Sequence, residues 1–102
     1  MYAKVVTFQI KPDRQEEVDR LFREVIVPSA RKQKGFRGGM LLTDPDTGKG
    51  KSVAIWETEE DIKASERSGF YQAWVVKLSD ALSMPPVREI YKVSNLVGLS
   101  VE

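Results

Sequence analysis

The apolar positions of this chain fall into two alternating spacings, and the places where the spacing changes mark the elements. From Tyr2 to Ile10 the residues are rich in β-branched and aromatic side chains, and Pro12-Asp13 follows as a stop, which predicts a first strand. From Asp13 the period lengthens. Val18, Leu21, Phe22, Val25 and Ile26 recur at i, i+3, i+4, i+7 and i+8, the stripe of an amphipathic helix. Asp13 is expected to cap that helix, with Glu16 three places on returning the bond in a capping box. Pro28 predicts a kink or an end near Val27, with Ser29 to Lys34 an irregular turn. Arg31, Lys32 and Lys34 suit the negative carboxyl end, and Gly35 is the expected left-handed stop.

Phe36 to Thr43 and Lys51 to Glu57 read as two further strands, joined by the turn-rich segment Asp44 to Gly50 into an antiparallel hairpin. Thr58, followed by Glu59, Glu60 and Asp61, supplies a cap and three carboxylates for a second helical region. Ser68-Gly69 should interrupt it. Phe70, Tyr71, Trp74, Val75, Leu78 and Leu82 then continue a helical stripe until Pro85-Pro86 forbids more. Val87 to Ser94 predicts a fourth strand. The tail from Asn95 leaves Leu96, Val97, Leu99 and Val101 to be placed.

The order is therefore β-α-β-β-α-β over residues 1–102 as one domain: an α+β, ferredoxin-like arrangement with both helical regions on one face of a four-stranded antiparallel sheet. The strands do not have a clean polar face. Tyr2, Val6, Phe8 and Ile10 alternate with Ala3, Val5 and Thr7; Phe36, Met40 and Leu42 with Leu41; and Val53 and Ile55 with Ala54 and Trp56. Burial of such side chains is worth about 1.5–3 kcal/mol each, so the face away from the helices is expected to close against a second copy in an isologous homodimer.

Composition narrows the chemistry. Sixteen Lys and Arg against fifteen Asp and Glu give a net charge of +1, which offers no general field for nucleic acid or anionic lipid. The chain has no Cys and no His. Disulfides, thiolate nucleophiles, cysteine metal sites and any histidine base or haem ligand are thereby excluded, and chemistry must use carboxylates, Lys, Tyr, Arg or the substrate's own reactivity. No apolar stretch approaches a membrane span, and a cytoplasmic protein is expected. Glu59, Glu60 and Asp61 read as first-turn carboxylates, not metal ligands, and the basic runs at Arg31 to Lys34 and Lys49 to Lys51 as solvated surface.

Three segments, in this order and spacing, resemble a known family: Gly35-Phe36-Arg37-Gly38 after the first helix, Ile55-Trp56-Glu57-Thr58-Glu59 at the end of the third strand, and Phe70-Tyr71-Gln72-Ala73 in the second helical region. The chain resembles the antibiotic-biosynthesis monooxygenase-like domains of the dimeric α+β barrel group over nearly its whole length. The resemblance implies a small-molecule cavity between sheet and helices in each subunit, two sheets meeting in a dimer, and carboxyl-terminal tails reaching across. The family's haem-degrading enzymes rely on an Asn, a Trp and a His whose places here hold Val6 or Thr7, Ser65 and Val75, so haem degradation is rejected. In the cofactor-independent branch, which oxidises activated phenols or quinols, the Trp at the end of the third strand carries over to Trp56. The branch's Asn, Tyr and Arg fall on Ser52, Ile62 and Val76, and a His found in quinol-oxidising members would fall near Phe70.

The resemblance thus implies oxidation of a small aromatic phenol or quinol with no bound cofactor and no metal. Trp56 is the catalytic candidate, as an indole donor to an electron-rich substrate anion, although packing alone also explains a Trp there. Phe8, Met40, Phe70, Tyr71, Trp74 and Tyr91 are candidates for an aromatic cavity, and Arg88 for holding an anionic oxygen. No general base is assigned. A ligand-binding or assembly domain of the same barrel type, with no turnover, is the alternative. Lys51 to Trp56 lacks the aromatic and basic signature of an RNA-recognition strand.

Overall fold

The structure, a computed structural model, describes residues 1–99. Strand β1 (Tyr2–Gln9) is followed by α1 (Gln15–Leu21), which runs through a π turn (Phe22–Ile26) into α2 (Val27–Ala30). The hairpin β2 (Phe36–Thr43) and β3 (Lys49–Trp56), helices α3 (Glu59–Arg67) and α4 (Phe70–Leu78), and β4 (Val87–Lys92) complete the chain. All pairings are antiparallel and the sheet order is β2-β3-β1-β4, so the α+β, ferredoxin-like arrangement holds. Val101, left unplaced above, lies outside the described residues.

Several local signals act as expected. Thr58 Oγ1 accepts the Asp61 N–H at 3.0 Å and caps α3. Gly69 separates α3 from α4 at φ 89°, and Gly35 takes φ 85° before β2. A side chain at Gly35 would also collide with the Asp61 carboxylate.

The first helix departs from expectation at both ends. Asp13 is not its cap. Pro12 fixes φ in the second place of a turn that the Arg14 N–H closes on Lys11 O at 3.2 Å, and Asp13 sits in the third place at φ 64°. Arg14 takes the cap position with no side-chain cap bond, and its guanidinium pairs with Glu17 at 2.6 Å. Nor does the helix stop at Val27. The Val27 N–H reaches back five residues to Phe22 O, and this widened turn makes room where the Pro28 ring would crowd the carbonyl four residues before it. Pro28 then sits in the first turn of α2, where a missing donor costs nothing.

The remaining differences are at ends. β3 begins at Lys49, not Lys51, because the Asp44 N–H donates to Lys49 O at 2.8 Å and closes a tighter loop. The second helical region leaves α geometry at Leu78 for a 3₁₀ turn over Ser79–Ala81, and β4 ends at Lys92 rather than Ser94.

Register fixes the two faces. Val6, Phe8 and Ile10 join Val18, Phe22, Ile26, Trp74 and Leu78 in a buried core between sheet and helices. Val6 pairs with Ser52 and Ser52 with Leu41, so those side chains share the covered face. A bulge at Arg37-Gly38 shifts the alternation of β2. Phe36 therefore lies on the covered face with Leu41, and Met40 and Leu42 on the other, which corrects the expected grouping of Phe36 with Met40. The uncovered face carries Val5, Val53 and Ile55, partly exposed, with Met40 47%, Leu42 47%, Val87 59% and Tyr91 51% exposed.

Candidate functional site

Three adjacent positions on the covered face of the sheet have little or no side chain. Gly39 pairs with Ala54, and the next row holds Ser52 opposite Leu41. Beneath the α1 to α2 segment this absence leaves a partly open cavity of about 750 Å³. One helical face forms its roof through Phe22, Ile26, Val27 and Ala30, with Asp19 and Arg23 on the same face. Phe36, Trp56, Phe70 and Trp74 bring aromatic rings to the walls.

Trp56 is 1% exposed and packs edge-on against Phe36, with ring centroids 5.5 Å apart. Its indole N–H is buried and has no hydrogen-bond partner. Native interiors seldom leave a buried donor unsatisfied, and each such group costs about 1–3 kcal/mol.

Lys4, which sequence reasoning passed over, also borders this cavity and is only 5% exposed. Its ammonium pairs with Glu66 at 2.8 Å and lies 3.5 Å from the centroid of the Tyr71 ring. Burial holds the Lys4 pKa below its ordinary value, against the opposing pull of the Glu66 carboxylate. Burial alone would push Glu66 upward, but hydrogen bonds from Arg88 and Lys4 outweigh it and hold the carboxyl below its usual range. Tyr71 is raised chiefly by burial. Ala54 pairs with Lys4 and Tyr2 with Trp56, so Lys4 and Trp56 are diagonal neighbours on one face, roughly 7–8 Å apart at the backbone in such sheets. A buried cation and a buried donor thus border the same aromatic-walled space.

The expected site residues divide. Trp56, Met40, Phe70 and Trp74 border the cavity, although the pleat turns the Met40 side chain to the uncovered face. Phe8 does not border it; it stacks on Phe22 at 6.2 Å within the core, opposite Gly50. Tyr71 lies behind Lys4 and packs against Trp74 at 5.0 Å. Arg88, expected to hold a substrate anion, already holds Glu66 through contacts of 2.5 and 2.8 Å. Tyr91 stands on the other face, paired with Ala3 and donating to Glu89 at 2.8 Å, so it cannot share a cavity with Trp74. The places of the family's Tyr and Arg do not border the cavity either: Ile62 is fully buried and Val76 is 62% exposed.

The signal for Lys4 was present in the alternation. Lys4 has the same parity as Val6, Phe8 and Ile10, and a lysine in a buried row requires a partner and a reason. Among the described residues no group of His, Cys, Asp or Glu could hold a metal ion, and no helix is long and apolar enough to cross a membrane.

The model of the family described as antibiotic biosynthesis monooxygenase matches residues 1–77. No curated protein matches the chain. Among solved structures, a monooxygenase from the gene ActVA-Orf6 of Streptomyces coelicolor, in complex with nanaomycin D, is similar at 23% identity and a TM-score of 0.75, covering 97% of this chain and 92% of that one. The cofactor-independent oxygenase SnoaB of Streptomyces nogalater, solved as a mutant, is 13% identical with a TM-score of 0.76, covering 96% and 97%. The haem degrader MhuD of Mycobacterium tuberculosis, with two haems bound, is 15% identical with a TM-score of 0.73, covering 96% and 100%.

Proposed function

This chain belongs to the antibiotic biosynthesis monooxygenase family, and from that premise we propose that it oxidises a small aromatic phenol or quinol with O₂ as a homodimer, without a resident cofactor. Trp56 carries the proposal: its buried, unpartnered N–H belongs to the wall of a cavity that Lys4 also borders. Those are the two groups an electron-rich oxyanion needs, a fixed donor and a nearby cation.

A phenolate supplies the electrons itself. It passes one electron to O₂, and the radical pair joins through a new C–O bond. The O–O bond then breaks, one oxygen leaving as water and the other staying as a carbonyl, while the same ring carbon gives up its proton. One phenol and one O₂ become one quinone and one water. Lys4 stabilises the phenolate, and Trp56 donates to its oxygen.

Haem does not fit these residues. The chain has no His and no Cys to bind the iron.

Purified protein without additives should consume O₂ with at least one member of a panel of naphthols and hydroquinones, saturably, and a monophenol should yield quinone and water in equal amounts. Saturable binding across the panel with no O₂ uptake would replace this reading with that of a ligand-binding domain. The uncovered sheet face supports the dimer. Val5, Val53, Ile55, Met40 and Leu42 form a contiguous apolar surface of the kind that monomers avoid. Sedimentation should show a dimer, and Met40→Asp with Leu42→Asp should yield a folded monomer, since Lys51 stands opposite Leu42 to receive the new charge. A wild-type protein that stays monomeric at high concentration removes the dimer.

A further inference from the structure

The buried residues of the first helical segment have a spacing that a regular helix does not allow. They are Val18, Phe22, Ile26 and Ala30, each four places from the next, and the last three form the cavity roof with Val27. In an α-helix every step of four residues swings a side chain about 40° around the axis, so such a row would drift by about 120°. The π turn over Phe22–Ile26 corrects this. Its closing bond runs from the Val27 N–H to Phe22 O, so more residues share one turn and each advances through a smaller angle, which carries Ile26 and Ala30 back over the sheet. Unbroken α geometry would instead continue the stripe from Val18 and Phe22 to Val25 and Ser29, setting those two in the places of Ile26 and Ala30. Val25 is already half-buried. The sequence thus carries two registers for this segment, and they present different residues to the cavity.

Pro28 decides between them. In the α register its ring would meet the Glu24 carbonyl four residues before it, and it has no N–H with which to close that bond. In the π register it stands in the first turn of α2 and neither loss is incurred. Pro28 itself is exposed and does not border the cavity. Resting on the oxidation proposed above, we infer that Pro28 is a positioning residue for the aromatic substrate: it holds the π turn, and the π turn sets Ile26, Val27 and Ala30 as the roof above the floor made by Gly39 and Ala54. Ala30 matters most in this arrangement. It keeps the roof low in bulk and apolar over the smallest residues of the sheet, where the α register would bring the Ser29 hydroxyl into the same apolar contact.

The two tryptophans of the chain, Trp56 and Trp74, both border the cavity, so entry of 2-naphthol is readable as quenching of intrinsic fluorescence. Pro28→Ala should weaken 2-naphthol binding by about tenfold and raise KM more than it lowers kcat, because the roof moves while Trp56 and Lys4 stay in place. Helical circular dichroism and the melting midpoint should not fall, since Ala is the better helix former. Deleting Glu24 from the Pro28→Ala protein supplies the decisive variant. Glu24 is exposed and lies inside the π turn, and without it Ile26 and Ala30 follow Phe22 by three and seven places, the spacing of a regular α-helix. Affinity should return to near the wild-type value, now with no π turn. Unchanged binding in Pro28→Ala would overturn the inference, and so would weakened binding that the deletion fails to restore. Loss and recovery of 2-naphthol binding with no O₂ uptake in any variant would remove the oxidation and leave the role of Pro28 standing. O₂ uptake in wild type with Pro28→Ala indifferent in binding and KM would do the reverse.

Discussion

Glu66→Ala should destabilise the protein by about 3–5 kcal/mol, the range for removing one partner of a buried ion pair. The loss comes from what remains. Lys4, 5% exposed and lying on the Tyr71 ring, would keep a buried ammonium without its counter-ion, beside the Arg88 guanidinium that Glu66 also neutralises. For a chain of this length each kcal/mol moves the melting midpoint by roughly 4–8 °C, so a fall on the order of 20 °C is expected in a thermal scan. Adding Lys4→Met should recover most of it, because the orphaned charge is then gone. A Glu66→Ala protein within about 1 kcal/mol of wild type would contradict the buried pair.

The pair also sets a pH dependence. The Glu66 carboxyl is held below its ordinary value of 4.5, so its contribution is complete above that value and is lost as pH falls through the folded one. Lys4 has the opposite sense. Its pKa is held below 10.5, chiefly by burial, so its charged form works against folding, and that penalty is relieved as pH rises through the folded value towards 10.5. Denaturation midpoints at acid pH should therefore fall more steeply in wild type than in Glu66→Ala with Lys4→Met.

What the sequence disclosed, and what it concealed, follows from the range of each signal. Local signals were sufficient where one or two residues decide: Thr58 as a cap, Gly35 as a left-handed stop, Ser68-Gly69 as an interruption, and the alternation of Tyr2 to Ile10. Position across the sheet was not local. Tyr91 could be assigned to a face only through its pairing with Ala3, and the Arg37-Gly38 bulge that separates Phe36 from Met40 has no periodic signature. The cavity itself arises from missing side chains at Gly39, Ser52 and Ala54, which are ordinary strand residues in sequence and become a void only when register brings them together. Lys4 was legible as a charge in an apolar row, but its partners Glu66 and Tyr71, and the Arg88 that shares Glu66, come from three later elements. Local composition could not bring them to one point.

Trp56→Phe should lower kcat by about 10²-fold, the effect of removing one fixed donor to a developing oxyanion, with a smaller change in KM. Stability should change far less, by about 1–2 kcal/mol at most, because two effects oppose each other. Phe keeps an aromatic ring against Phe36 and gives up some buried area, but it also removes an N–H that is buried with no acceptor. A tryptophan present only for packing would show the contrary pattern, a clear fall in the melting midpoint with turnover intact. The informative quantity is therefore the ratio of the two effects, measured on the same preparation by O₂ uptake and by denaturant unfolding. The second tryptophan provides the control: Trp74→Phe alters the same cavity wall, and the Trp74 N–H is not among the buried groups left unpaired, so its kcat should change by well under tenfold. If both variants slow turnover alike, the indole donor is not what Trp56 contributes, and the wall as a whole, not one atom of it, positions the substrate.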